Sequence, residues 1–349
     1  MTIDEQYMQR CLQLAALGAG HVAPNPLVGA VLVHDGRIIG EGYHQQYGQP
    51  HAEVNCLASV QPQDQQLIAE STMYVSLEPC AHFGKTPPCA DRLITEKVKR
   101  VVIACRDSYA AVDGKGITKL QAAGIDVTLG VLEKEALQLN RRFFTYHQQQ
   151  RPYILLKWAQ SADGYIGETE KQVAISNAIS NRLVHRWRSE EAAIMVGTNT
   201  AIIDNPKLNN RYWFGPSPLR VVIDKQLRIP ATHHLLKDEQ PTFIVNCLLQ
   251  KVQGNKEWIQ LKDDHHFLRQ LLQALHSRGI QSVLVEGGRQ LLQSLIDAQL
   301  WDEARIITNT ALLLGHGVAA PTLKNATRTD ASFQQEKDSI QIFYRHTTA

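Results

Sequence analysis

Little in this chain of 349 residues points to a membrane, a nucleic acid or an oxidising compartment. No apolar run approaches the ~20 residues that a helix needs to cross a bilayer. Residues 1–5 include Asp4 and Glu5 and carry no apolar stretch of the signal-peptide kind. The formal charge is only +2 and no Lys/Arg run forms a stripe, which argues against a polynucleotide substrate. Cysteines number six. Leaving Cys80 and Cys89 aside, Cys11, Cys56, Cys105 and Cys247 sit in the apolar contexts of reduced core thiols, so no disulfide framework is expected. A Gly-x-Gly-x-x-Gly turn feeding a helix is also missing. The nearest match, Gly315, His316, Gly317 through Ala320, runs into Pro321 and reads as a cofactor-side loop or a plain turn. These absences leave a cytoplasmic protein acting on something small as the expectation.

The length exceeds what one hydrophobic core usually serves, and an apolar content of 44% is ordinary for a globular chain, so two domains are expected. The first contains a set of metal ligands. His51, Cys80 and Cys89 are the borderline-to-soft donors that tetrahedral zinc prefers, and three protein ligands leave a fourth position for water. Zinc brings the pKa of such water to about 7. Glu53, two residues after the histidine and at the start of a helix, can face that water and shuttle protons. His-x-Glu followed by Pro-Cys and a further Cys is the order found in zinc deaminases of nucleobases. In those the cysteines usually lie three positions apart, whereas here residues 81–88 separate them.

The intervening run, Cys80, Ala81, His82, Phe83, Gly84, Lys85, Thr86, Pro87, Pro88, Cys89, resembles the deaminase half of the bifunctional riboflavin-biosynthesis deaminase/reductase family. The resemblance covers nearly the whole chain: Ala23, Pro24, Asn25, Pro26, Leu27, Val28 and Gly29 carry it before the first hairpin, residues 157–164 at the start of the second half, and Glu286, Gly287 and Gly288 near the end. It implies a cytidine-deaminase-like α/β/α sandwich over residues 1–147 and a dihydrofolate-reductase-like α/β domain over 148–349, with Gln148, Gln149 and Gln150 as a polar link. It also implies zinc and NADPH as cofactors. The substrate would be a pyrimidine ribosyl phosphate, deaminated at C2 and then reduced from ribosyl to ribityl.

Residue by residue, the resemblance places Asn25 and His44 on the pyrimidine, and His82, Lys85 and Thr86 near the phosphate. In the second half, Ala159, Ala174, Thr200 and Asp204 fall at cofactor-contacting positions, and Gln172, Arg188, Leu208 and Arg211 at substrate-contacting ones. Members of the family often carry Ser and Trp where Gln172 and Ala174 stand, and an Asn-Pro-rich version of residues 107–116. A planar guanidinium such as Arg188 suits two-pronged binding of a phosphate. Gly287 and Gly288, at a strand-to-helix turn, would let a dinucleotide's phosphates approach backbone N–H groups. Glu286 ends that strand, on the substrate, and Lys157 and Glu286 are the polar candidates beside the sugar carbon that accepts hydride. Expected partners are the small substrate and further copies of the chain, with neither nucleic acid nor membrane.

Local patterns supply the elements. Met8, Cys11, Leu12 and Ala15 recur at helical spacing. Residues 28–33 and 37–42 form a hairpin about His34, Asp35 and Gly36. His51 opens a helix, and Pro79 with Cys80 begins the next loop-to-helix junction, which would put metal ligands at two helix starts. Strands at 153–158, 192–197 and 282–286 alternate with helices at 178–190 and 289–298. Two other readings stay open: an RNA or nucleoside deaminase with an unrelated second domain, and a nucleotide-binding protein with structural zinc. The small charge and the long Cys80-to-Cys89 spacing oppose the first, and the want of a fourth ligand opposes the second.

Overall fold

The computed structural model of the protein describes residues 1–81, 83, 87–107, 114–168 and 173–346. It divides into two units, Met1–Gln150 and Arg151–Ala349. In the first, α1 (Ile3–Ala16) starts at Thr2, whose hydroxyl accepts from the Glu5 N–H while the Glu5 carboxylate accepts from the Thr2 N–H. Such a reciprocal cap contributes about 1 kcal/mol. The hairpin of β1 (Gly29–His34) and β2 (Arg37–Tyr43) turns at Asp35 and Gly36, both at positive φ. There follow α2 (Ala52–Ala58), β3 (Thr72–Val75), α3 (Cys89–Thr95), β4 (Arg100–Ile103), α4 (Lys115–Ala122), β5 (Asp126–Leu129), α5 (Glu133–Leu139) and α6 (Arg141–Gln149).

The sheet order is β2–β1–β3–β4–β5, antiparallel at the hairpin side and parallel from β3 to β5. Period-two alternation builds two cores: Ala30 and Leu32 pack with Cys56 of α2, Leu93 of α3 and Leu120 of α4, while Val31 and Val33 pack with Met8 and Cys11 of α1 and Phe143 of α6. This is the α/β/α sandwich. Two glycines permit the closeness of the helices: a Cβ on Gly29 would stand 2.0 Å from the Cys11 carbonyl oxygen, and one on Gly42 2.3 Å from Cys56 N.

The second unit runs β6 (Tyr153–Ser161), α7 (Ala178–Glu190), β7 (Ala193–Gly197), α8 (Thr198–Asp204), β8 (Leu219–Ile223), α9 (His234–Lys237), β9 (Thr242–Asn246), β10 (Lys251–Gln253), β11 (Lys256–Gln260), α10 (Phe267–His276), β12 (Ser282–Val285), α11 (Arg289–Asp297), β13 (Glu303–Asn309), β14 (Ala326–Arg328), β15 (Phe333–Gln335) and β16 (Asp338–Arg345). Its sheet reads β10–β11–β9–β8–β7–β12–β6–β13–β16–β14, with β15 on β16, and the pairs from β11 to β13 are parallel. Ile154 and Leu156 pack with Leu271 of α10 and Leu292 of α11, and Leu155 with Val184 and Trp187 of α7. The carboxyl ends of β7, β8 and β12 therefore open between helices, where α/β sheets hold ligands.

Two expectations are corrected. Gln148 and Gln149 form the last turn of α6 instead of a link, because a solvent-facing helical turn and a polar linker have the same composition. The helix expected near Cys80 begins only at Cys89, with Pro88 as its N-cap residue. Among the described residues no helix is long and apolar enough to cross a membrane.

Candidate active sites

His51 is the N-cap residue of α2, yet its side chain makes no capping bond, which leaves the imidazole free to turn toward the loop after β3. There its Nδ1 lies 3.6 Å from Cys80 Sγ and 3.3 Å from Cys89 Sγ, and the ligand atoms all fall within 4.8 Å of one another. Bond lengths of about 2.3 Å to sulfur and 2.0 Å to nitrogen put the N–S edge of a zinc tetrahedron at ~3.5 Å, so this donor set fits the ion. Cys80 Sγ also accepts the Cys89 N–H at 3.3 Å. The Cys80 thiol is held down to about 4, first by its hydrogen bond with the Cys89 thiol and, against burial, by His51. The Cys89 thiol is pushed up, first by its bond with Cys80 and then by burial. Among the described residues the cluster consists of these three side chains.

Glu53 belongs to the first turn of α2 and is 3% exposed. Burial first, and the Cys80 charge second, push its carboxyl above the usual carboxylate range. Asn25 and His44 form a chain that ends beside the metal ligand: Asn25 Nδ2 is 3.0 Å from His44 Nε2, and His44 Nδ1 is 3.1 Å from the Pro50 carbonyl oxygen. The carbonyl can only accept, so the proton sits on Nδ1 and Nε2 accepts from Asn25. His44 is 2% exposed, burial pushes its pKa down, and its ring meets His51 edge-on. Both its nitrogens are engaged, so it orients the Asn25 amide. His82, Lys85, Thr86 and Gln172 lie outside the described residues.

A carboxylate that the motif reading passed over, Glu78, is buried just before Pro79. It accepts the N–H groups of Gly114 and Gly116 at 3.0 Å and those of Asp107 and Ile117 at 3.3 Å. It thereby fastens both sides of the loop before α4 to the Cys80 segment. The signal was an acidic residue inside an otherwise apolar strand end.

In the second unit, Lys157 on β6, Arg188 on α7 and Glu286 after β12 meet in a buried cluster. Arg188 donates from Nε and Nη2 to the two Glu286 oxygens at 2.8 and 2.9 Å, and Lys157 Nζ stands 3.6 Å from the same carboxylate. Burial works to raise the Glu286 carboxyl, but the charges of Arg188 and Lys157 outweigh it and hold it at about 2. Burial, with Arg188 adding, lowers the Lys157 pKa. The expected two-pronged grip of Arg188 on a phosphate is thus corrected: the fork is taken by Glu286, and Nη1 donates to the Asn209 carbonyl.

The pocket beside it, about 460 Å³, is lined by Asn181, His185, Arg188, Lys207, Leu208 and Arg211 among others. Leu208 is buried at φ 52°, and His185 Nδ1 accepts the Arg211 N–H at 2.9 Å. Burial, then Arg188 and Arg211, press the His185 pKa down to about 4. Its spacing of three from Arg188 on a helix was the available signal.

A larger cavity of about 1240 Å³ opens at the ends of β7, β8 and β12. Of the positions expected to touch cofactor, Thr200, Asp204 and Gly288 line it, and Ala159, Ala174 and Gly287 do not. Gly288 N donates to Thr200 Oγ1 at 3.0 Å, and α11 has no side-chain cap, so its first-turn N–H groups remain for an anion. Asp204 lines both cavities. Val318, in the segment after Gly315, also lines the larger one. Size and a glycine-flanked helix start fit a dinucleotide.

Comparison with known proteins agrees with both halves. Residues 1–105 match the cytidine and deoxycytidylate deaminase zinc-binding region, and residues 152–339 match the RibD C-terminal domain. The riboflavin biosynthesis protein RibD of Aquifex aeolicus is 39% identical over 91% of this chain and 89% of its own, and that of Escherichia coli 36% over 89% and 88%. The Acinetobacter baumannii RibD structure superposes with a TM-score of 0.87 at 32% identity, covering 99% of each chain. A diaminohydroxyphosphoribosylaminopyrimidine deaminase/5-amino-6-(5-phosphoribosylamino)uracil reductase from Thermotoga maritima gives 0.89 at 30%, again over 99% of each. Fold and sites define a bifunctional enzyme, a zinc-dependent deaminase joined to an NADPH-dependent reductase. More narrowly, the chain belongs to the RibD family of riboflavin biosynthesis.

Proposed function

We propose that residues 1–147 remove the C2 amine of 2,5-diamino-6-ribosylamino-4(3H)-pyrimidinone 5′-phosphate and that residues 148–349 reduce the ribosyl group of the resulting uracil to ribityl. The observation that carries the first step is the buried Glu53 beside His51, Cys80 and Cys89. Zinc held by those three supplies Lewis acidity and a water activated at neutral pH. Glu53 moves two protons in turn: one from the water to the ring nitrogen, and then the remaining proton of the attacking hydroxyl to the departing amine, which leaves as ammonia. Asn25, its amide nitrogen committed to His44, presents its carboxamide oxygen to a pyrimidine N–H.

In the second unit NADPH supplies a hydride to C1′ of the ring-opened, imine-like sugar. The nitrogen then needs one proton. Glu286 is ionised and has both oxygens bound by Arg188, so Lys157, whose pKa burial lowers, is the proton-bearing group. Arg211 and Lys207 remain for the substrate phosphate. The weak net charge supports a cytoplasmic enzyme of small molecules. The knuckle of Trp213 and Phe214, the latter 91% exposed, supports assembly into a homo-oligomer.

Product analysis tests this reading: the diaminopyrimidine phosphate alone should yield ammonia and the ribosylamino uracil, and added NADPH should carry it to the ribityl compound. Recovery of unchanged substrate in both would contradict it.

Glu286→Gln should deaminate normally and fail to reduce. It also alters acid stability. The folded pKa of about 2 lies below the ordinary 4.5, so the stabilisation from Glu286 is present above pH 4.5 and fades as pH falls toward 2. Its size is roughly 3 kcal/mol, less what burying Lys157 costs. Unfolding followed against pH should therefore show the variant weaker at neutral pH, with the gap to wild type closing between those limits; parallel curves would refute the pairing.

A further inference from the structure

One side of the smaller pocket is a single segment, residues 205–211 between α8 and β8, which contributes Asn205, Pro206, Lys207, Leu208 and Arg211. Its backbone takes an uncommon course, with Asn205 at φ 40° and Leu208 at φ 52°. Asparagine tolerates this left-handed region, whereas a leucine there crowds its Cβ against the following carbonyl oxygen. Leu208 is buried in the core that includes Val184 and Trp187 of α7, so its turn is held by what surrounds it.

The segment is tied down along its length. Asn205 Oδ1 accepts the His234 N–H at the start of α9, at 2.9 Å. Arg220 Nη1 donates to the Lys207 carbonyl oxygen at 3.3 Å, Arg188 Nη1 donates to that of Asn209 at 3.2 Å, and the Arg211 N–H donates to His185 Nδ1 at 2.9 Å. The Leu208 turn therefore stands between two guanidinium groups. Arg188 and His185 line the pocket themselves, whereas Arg220, on β8 and 0% exposed, lines neither cavity. Its other N–H groups are spent on framework: Nε donates to Thr242 Oγ1 at 3.0 Å, Nη1 and Nη2 to the two Asp238 oxygens, and Nη2 to the Gln240 carbonyl oxygen at 2.9 Å. A planar fork fixed in this way presents its remaining N–H to Lys207 at a set place.

We propose that Arg220 and Asn205 are positioning residues of the reductase: they hold residues 205–211 in the strained course that keeps Lys207 and Arg211 set as a clamp for the substrate's 5′-phosphate. The inference rests on the reading of the smaller pocket as the phosphate end of that substrate. Cations fixed before the ligand arrives lose less freedom when it binds. Without the bond from Arg220, Leu208 relaxes toward negative φ, the peptides on either side of it rotate, and both cations leave their places.

The test compares NADPH-dependent reduction of the ribosylamino uracil with and without its 5′-phosphate. Wild type should prefer the phosphorylated form. In Arg220→Lys the single ammonium stays with Asp238 and no longer reaches the Lys207 carbonyl. Its kcat/KM for the phosphorylated substrate is expected to fall about tenfold, the size of one misplaced charge-assisted contact, and chiefly through KM. The unphosphorylated substrate and the KM for NADPH should stay within about twofold of wild type. Asn205→Gly keeps the positive φ and removes only the bond to α9, so it should show the same selective loss to a smaller degree, and it decides the matter if Arg220→Lys does not fold. Asp238→Asn weakens the same buried ion pair but leaves the bond to Lys207; it should lower the unfolding temperature and keep the preference. An unchanged preference in the folded variants, a loss that falls equally on both substrates, or the same selective loss in Asp238→Asn would overturn the proposal alone. Wild type that used both substrates equally well would overturn the phosphate reading of the pocket, and the proposal with it.

Discussion

Glutamine in place of Glu53 is expected to slow deamination at least about a hundredfold, the usual size of lost general acid–base catalysis, while zinc content stays at the wild-type level. The side chain is 3% exposed in the first turn of α2, and glutamine keeps its volume and one hydrogen-bonding oxygen, so the packing survives. The proton carrier does not. Burial and the neighbouring Cys80 charge raise the Glu53 carboxyl above its ordinary range, and an amide cannot titrate at all. Ammonia release followed with metal analysis separates the two effects. A near-normal rate would remove Glu53 from the chemistry, and lost zinc would make it part of the metal's support instead.

Cys80→Ser and Cys89→Ser are each expected to abolish both zinc binding and deamination. Wild type should hold about one zinc per chain, with three protein ligands. A serine hydroxyl is a poor substitute for a thiolate, and the remaining pair of ligands binds weakly. Cys80 also accepts the Cys89 N–H at 3.3 Å, so its loss loosens the start of α3 as well as the metal. Both substitutions lie in the first unit, and reduction of supplied ribosylamino uracil by the second should continue. Full metal content in both variants would mean that the zinc lies elsewhere.

The metal centre was legible in the sequence because its chemistry is local. His51 and Glu53 are neighbours on one helix start, and Cys80 and Cys89 bracket one loop. The sandwich was legible too, through the alternation of Ala30, Val31, Leu32 and Val33 and the helical spacing of Met8, Cys11, Leu12 and Ala15. What escaped was set by long-range pairing. Arg188 and Glu286 are 98 positions apart, and nothing near either shows that the guanidinium fork is taken by a carboxylate and not left for a phosphate. Glu78 looks like an ordinary motif residue until the backbone N–H groups of Asp107, Gly114, Gly116 and Ile117 converge on it. The loop-to-helix junction expected to begin at Pro79 and Cys80 extends to Cys89, where the two prolines at 87 and 88 mark the place at which the chain enters α3.

The central claim is that one chain holds two separate chemistries, and mixing two disabled variants tests it directly. Glu53→Gln alone should leave the diaminopyrimidine phosphate unchanged, and Glu286→Gln alone should stop at the ribosylamino uracil. Mixed in one vessel with NADPH, the two should make the ribityl product, the uracil released by one being reduced by the other. A mixture of folded variants that makes none, with Glu53→Gln also unable to reduce supplied uracil, would contradict the account and require a single shared site.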